Sequence, residues 1–91
     1  MGRVGRNVLV TGRVQGVFFR AWAAEQAREL GVAGWVRNCR DGSVEAHLSG
    51  SEDAVVQLLG RLHAGQPSAE VENITVEIAD PEPGDRFDVR H

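Results

Sequence analysis

The chain has 91 residues, 42% of them hydrophobic, one cysteine, no lysine and a formal net charge of −3. That length holds one domain and one core, burying about 60–65% of the surface its unfolded form exposes, and the acidic balance argues against nucleic acid as a partner. No apolar run approaches the ~20 residues needed to cross a bilayer, the start Met1-Gly2-Arg3-Val4-Gly5-Arg6 has no apolar signal core, and the lone Cys39 cannot close an internal disulfide.

A cytoplasmic, monomeric protein with no membrane partner is therefore expected. Residues 1–91 are expected to form a single domain, with 1–6 as a loose N-terminal extension. Asn7 to Gly12 alternates, with Val8 and Val10 on one face and Leu9 and Thr11 on the other, and predicts a strand. Gly12 to Gly16 predicts a turn. From Phe19 the period changes: Phe19, Ala23, Ala27 and Leu30 fall at helical spacing, and Gly31 is placed to close that helix in a left-handed cap. Val32 to Asn38 predicts a second strand. Arg40-Asp41-Gly42-Ser43 predicts a tight hairpin of type I′, leading into a third strand on which Val44, Ala46 and Leu48 alternate.

Ser51 is placed to cap a second helix, with Glu52 and Asp53 in the first turn where the dipole favours negative charge. Val55, Leu58, Leu59 and Leu62 form its apolar stripe. Gly65 to Ser68 breaks the chain, and Glu72 to Ile78 predicts a fourth strand with Ile74, Val76 and Ile78 facing inward. Pro81 to Asp85 predicts a turn before a short closing strand marked by Phe87 and Val89. The order is βαββαβ plus an edge strand. Right-handed crossovers and short hairpins turn that order into an α+β, ferredoxin-like sandwich: an antiparallel sheet covered on one face by two helices, with a short C-terminal edge strand.

Charge is unevenly spread. The first 24 residues carry Arg3, Arg6, Arg13 and Arg20 and no acid, whereas the remainder carries six arginines against thirteen carboxylates. An electropositive start on an acidic protein suits a small anion. Several chemistries are excluded. A Walker loop needs a lysine, and the residue six after Cys39 is Glu45 rather than the arginine of a cysteine phosphatase. His47, His63 and His91 show no metal-ligand spacing with one another or with Cys39. His47 is expected on the strand surface, His63 at a helix C-terminus, and Trp22 and Trp35 in or at the edge of the core.

What remains is Thr11-Gly12-Arg13-Val14-Gln15-Gly16-Val17-Phe18-Phe19-Arg20. It leaves a strand and enters a helix, where unpartnered backbone N–H groups and a positive dipole favour an anion. Gly16 lets the chain turn back with its amides bare, and Arg20 sets a permanently charged fork beside them that matches two phosphate oxygens. A plain turn with Arg20 in a surface ion pair is the alternative. Gly34-Trp35-Val36-Arg37-Asn38 is the second element. Asn38 shares the alternating face of Val36, so it needs partners or a cavity. It cannot act as a base at neutral pH but can hold and aim a water; the alternative is a turn-forming asparagine beside Asp41-Gly42.

Together the two segments resemble the acylphosphatase family, small enzymes that hydrolyse carboxyl–phosphate bonds. Val10 to Arg20 matches the family's first signature and Gly34 to Asn38 its second, followed by Gly42, Val44 and Gly50 at the family's spacing. The similarity covers essentially the whole chain. One departure is Val89-Arg90-His91, where the family often ends in tyrosine. The resemblance implies a metal-independent hydrolase of acyl phosphates without cofactor. It also implies that Arg20 binds the phosphate, that Asn38 positions the attacking water, and that the amides of Gln15, Gly16, Val17, Phe18 and Phe19 line the cradle. Two other readings stand beside it. An RNA-binding module would stack bases on aromatics of a central strand, and the third strand has none. A non-catalytic or carbamoyl-phosphate-handling module is the other.

Overall fold

The computed structural model of the chain describes residues 2–91; Met1 lies outside the described residues. Among them the elements run β1 (Val4–Arg13), α1 (Phe19–Leu30), β2 (Ala33–Asn38), β3 (Val44–Gly50), α2 (Glu52–Ala64), β4 (Glu70–Ala79) and β5 (Phe87–Arg90). The five strands form one sheet in the order β4-β1-β3-β2-β5. Every neighbouring pair is antiparallel except β2 with β5, which is parallel. This is the expected ferredoxin-like α+β sandwich, with β5 as the edge strand beyond β2.

Alternation sets the faces. Val8, Val10, Val36, Val44, Ala46 and Leu48 project from the sheet and are buried against Phe19, Ala23, Ala24 and Ala27 of α1 and Val55, Leu58 and Leu62 of α2. Each fully buried Val or Leu of this set stabilises the fold by roughly 1.5–3 kcal/mol. The alanines of α1 let the helix approach the sheet closely, and the larger Leu30 and Leu59 are only partly buried at its margin. Gly31 closes α1 in the left-handed conformation, its N–H reaching back to Ala27 and Arg28 carbonyls. Ser51 caps α2 by accepting from the Ala54 N–H at 3.2 Å. Both helices thus stop and start where the sequence marks them.

Four local expectations change. Residues 4–6, expected to be loose, are the first part of β1. Val4, Gly5 and Arg6 pair with Gly50, Ser49 and Leu48 on one side, and Gly5 and Arg6 with Ala79 and Ile78 on the other. Glycine and arginine weaken the alternating pattern there, but the backbone still completes both ladders. The hairpin is not type I′. Among residues 39–43 only Gly42 has a positive φ, 94°, and its N–H donates to Cys39 O at 3.3 Å while Cys39 N–H donates to Ser43 O at 2.8 Å. That is a three-residue loop, a type I turn followed by a left-handed glycine, and one more residue is needed than the dipeptide signal implies.

The third change is on β4. Val76 and Ile78 do lie opposite Val8 and Arg6, yet they are 40% and 85% exposed, because β4 is the outer strand and the helices leave that end uncovered. The fourth is His47. It points to the face away from the helices but is buried, since the segment between β4 and β5 folds across it: Glu82 N–H donates to Ser49 Oγ at 2.8 Å, and Ser49 Oγ lies 2.7 Å from His47 Nε2.

Candidate active site

The segment between β1 and α1 turns through two left-handed residues. Gly16 has φ 76°, a conformation that glycine adopts without steric cost. Phe18 follows at φ 61°, the only non-glycine residue with positive φ among those described. Phe18 occupies the N-cap position of α1 and offers no side-chain cap, so the first helical bond runs from Trp22 N–H to Phe18 O at 3.0 Å. The amides of Gln15, Gly16, Val17, Phe18 and Phe19 donate to no other group among the described residues. A helix start left in this condition concentrates positive partial charge and free donors at one point.

The Gln15 side chain holds this loop against the hairpin. Its Nε2 donates to Cys39 O and Ser43 O, each at 2.8 Å. Two donors of one amide thereby lock the β1–α1 segment onto the far end of β2, where Asn38 stands. Asp41 braces the same hairpin: its carboxylate accepts from the Ser43 hydroxyl at 2.6 Å and the Ser43 amide at 3.0 Å. Those two bonds hold its carboxyl below the usual carboxylate range, the hydroxyl contributing most.

A cleft of about 430 Å³ opens over the loop, lined by Val14, Gln15, Gly16, Phe18, Phe19, Arg20, Ala21, Asn38, Val89 and His91. The fold brings Arg20 and Asn38 into one cleft although 18 positions separate them in the sequence, because α1 begins beside the end of β2. Asn38 pairs with Val44 in the ladder, so its side chain projects on the helix side of the sheet where the core gives way to solvent. The cavity its polarity demanded is this cleft. Gly34, at the head of the same motif, has φ 137°, and a Cβ there would overlap the His47 carbonyl. Only glycine lets β2 lie this close to β3.

Of the four arginines in the basic N-terminal quarter, Arg20 alone lines the cleft. Arg13 faces Glu70 at 3.8 Å, Arg3 donates to Glu82 O and Arg6 to Gly5 O. Arg20 makes no ion pair among the described residues. Its Nη1 donates to Arg90 O at 2.6 Å and lies 3.4 Å from His91 Nδ1. A guanidinium has five N–H donors, so this single anchor fixes the group and leaves the others for a ligand. No acidic side chain among the described residues lines the cleft. Its lining presents hydrogen-bond donors and one fixed cation, a set suited to an oxyanion.

The loop residues are not all alike. Val17 does not line the cleft; its side chain packs against the core. Val14, Ala21, Val89 and His91 do line it, and sequence reasoning had not placed them there. Val89 lies on β5 and His91 directly follows it, and the parallel docking of β5 on β2 is a long-range event: His91 stands 71 positions from Arg20. No local pattern marks such a pairing. Trp22 packs at the core edge with its ring 5.5 Å from Phe19, as expected. Trp35 instead lies on the opposite face of the sheet, stacked on His47 at 6.3 Å with Arg90 4.6 Å above it.

Comparison with known proteins gives a consistent result. The family model described as Acylphosphatase matches residues 6–89. A protein named Acylphosphatase from Rhodopseudomonas palustris is 47% identical over 98% of this chain and 96% of its own length. The structure of an acylphosphatase from Coxiella burnetii superposes with a TM-score of 0.92 at 38% identity, covering 98% of this chain and 94% of that one. An acylphosphatase from Bacillus subtilis gives 0.91 at 34% identity, covering 97% and 99%.

Proposed function

The chain belongs to the acylphosphatase family, hydrolases that act on acid anhydrides, and we propose that it cleaves acyl phosphates to a carboxylate and inorganic phosphate without a metal ion. The observation that carries this reading is the run of amides from Gln15 to Phe19, which donate to no other group among the described residues, on a loop whose Gln15, Gly16, Phe18 and Phe19 line the cleft that holds Arg20 and Asn38.

The phosphoryl oxygens would take the bare amides and the free edge of the Arg20 guanidinium, a set fixed by packing before substrate arrives. Electrostatic stabilisation of this kind is strongest where donors need no reorganisation. Asn38 would accept a hydrogen bond from water through its side-chain oxygen and so hold that water in line with the scissile bond. The leaving group is a carboxylate, whose conjugate acid has a pKa of about 4. It departs without a proton donor, and a cleft lining with no Asp or Glu side chain among the described residues fits that need. The proton lost by water would pass to an oxygen of the phosphoryl group.

The test is release of inorganic phosphate from benzoyl phosphate in the presence of a chelator. Turnover unaffected by the chelator is expected. A protein that binds phosphate but releases none from benzoyl phosphate would overturn the enzymatic reading in favour of a binding module.

A further inference from the structure

A tetrahedral oxyanion, the size of a few water molecules of about 30 Å³ each, fills only a fraction of a cleft of about 430 Å³. The rest of the space is bordered by Phe18, Ala21, Val14 and Val89, all apolar. Phe18 stands out among them. It is 82% exposed, whereas Phe19 beside it is buried. Its backbone also occupies the left-handed region, unfavourable for a bulky residue. Glycine or asparagine would satisfy that backbone at less cost, and the Phe18 ring contributes nothing to the buried core.

Strain and exposure together place an aromatic ring on the lining of the cleft that also holds Arg20 and Asn38. A bulky residue kept in such a conformation at a candidate ligand site is grounds for asking what its side chain does there.

We propose that Phe18 is a specificity-determining residue: its ring forms the platform for the organic part of the substrate, selecting apolar and above all aromatic acyl groups over small ones. This deepens the proposed acyl phosphate chemistry and rests on it for the identity of the substrate. An aromatic acyl group lying against Phe18 and facing Val89 removes apolar surface from water on both partners, and ring pairs add to that area term. An acetyl group, one methyl beyond the carbonyl, reaches too little of the ring to gain comparably. The amide of Phe18 stays in the cradle whatever the side chain, so the main chain serves the phosphate and the ring serves the acyl group.

The experiment compares the wild type with Phe18→Gly, Phe18→Asn and Phe18→Trp. Glycine and asparagine both tolerate the left-handed backbone, and tryptophan restores an aromatic face. Two ratios are measured: kcat/KM for benzoyl phosphate over acetyl phosphate, and affinity for phenylphosphonate over methylphosphonate, which needs no turnover. Both ratios are expected to fall about tenfold in the glycine and asparagine variants and to recover in the tryptophan variant. Unchanged ratios, or benzoyl and acetyl activities that fall in equal proportion, would overturn the platform. If the wild type hydrolyses neither acyl phosphate, the reaction is wrong, and the phosphonate ratio still decides the role of Phe18.

Discussion

Arg20 and Asn38 share a cleft but do different work in the proposed reaction, and their substitutions separate the two. The Arg20 guanidinium is anchored on Arg90 O at 2.6 Å and has no carboxylate partner among the described residues, so its charge is available to the substrate. Arg20→Ala is expected to remove phosphate binding and with it turnover, lowering kcat/KM by ~100-fold or more, the usual consequence of losing one such electrostatic group. Asn38 carries no charge and stands on the strand opposite the loop. Asn38→Ala is expected to lower kcat by ~100-fold while inorganic phosphate still inhibits at nearly the same concentration. Steady-state kinetics with phosphate as a competitive inhibitor checks both. Near-normal hydrolysis by the Asn38 variant would remove water positioning from the account.

At the scale of elements, the site is two turns tied together. The β1–α1 loop provides the amides, the β2–β3 hairpin ends beside Asn38, and Gln15 Nε2 joins them through two carbonyls. The hairpin depends in turn on Asp41, whose carboxylate accepts from Ser43 and is held below the usual range. A lowered folded-state pKa contributes stability that is present above the unfolded value near 4 and is lost as pH falls through the folded one. As pH falls below about 4, melting temperature is therefore expected to drop more steeply in the wild type than in Asp41→Asn. Equal acid slopes in parallel thermal melts would show that the Asp41 bonds do not stabilise the hairpin.

Across the whole molecule, the two faces of the sheet differ: helices bury the apolar one, and the other is mostly exposed apart from one buried polar network. There Asn7 Oδ1 lies 2.9 Å from His47 Nδ1, Ser49 Oγ bridges His47 Nε2 and Glu82 N–H, and Trp35 stacks over the imidazole. Ser49 Oγ accepts from Glu82 N–H, and the tautomer that completes the network has Nδ1 donating to Asn7 Oδ1 and Nε2 accepting from the Ser49 hydroxyl. Strands β1 and β3 and the segment leading to β5 meet at this one point. Because β5 also brings Val89 and His91 to the cleft, the network supports the site from behind the sheet. Ser49→Ala leaves the Glu82 amide and His47 Nε2 without partners, an expected loss of about 2 kcal/mol. The melting temperature should fall by about 10 °C. A calorimetric scan showing no change would mean that water replaces the hydroxyl.

Much of this was written in local chemistry. The change of period at Phe19, the Gly31 and Ser51 caps and the βαββαβ order follow from dihedral preference and spacing, which act over a few residues. The donors of the cleft follow likewise from a glycine turn ahead of a helix. Packing over long separations decided the rest. Residues 4–6 are a strand because two neighbours offer them hydrogen bonds; Ile78 is exposed because its strand is at the edge; His47 is buried because a distant segment crosses it. Val89 and His91 reach the cleft through a parallel pairing that no short stretch of chain encodes. Loop closure between remote residues is rewarded only once the whole sheet has formed.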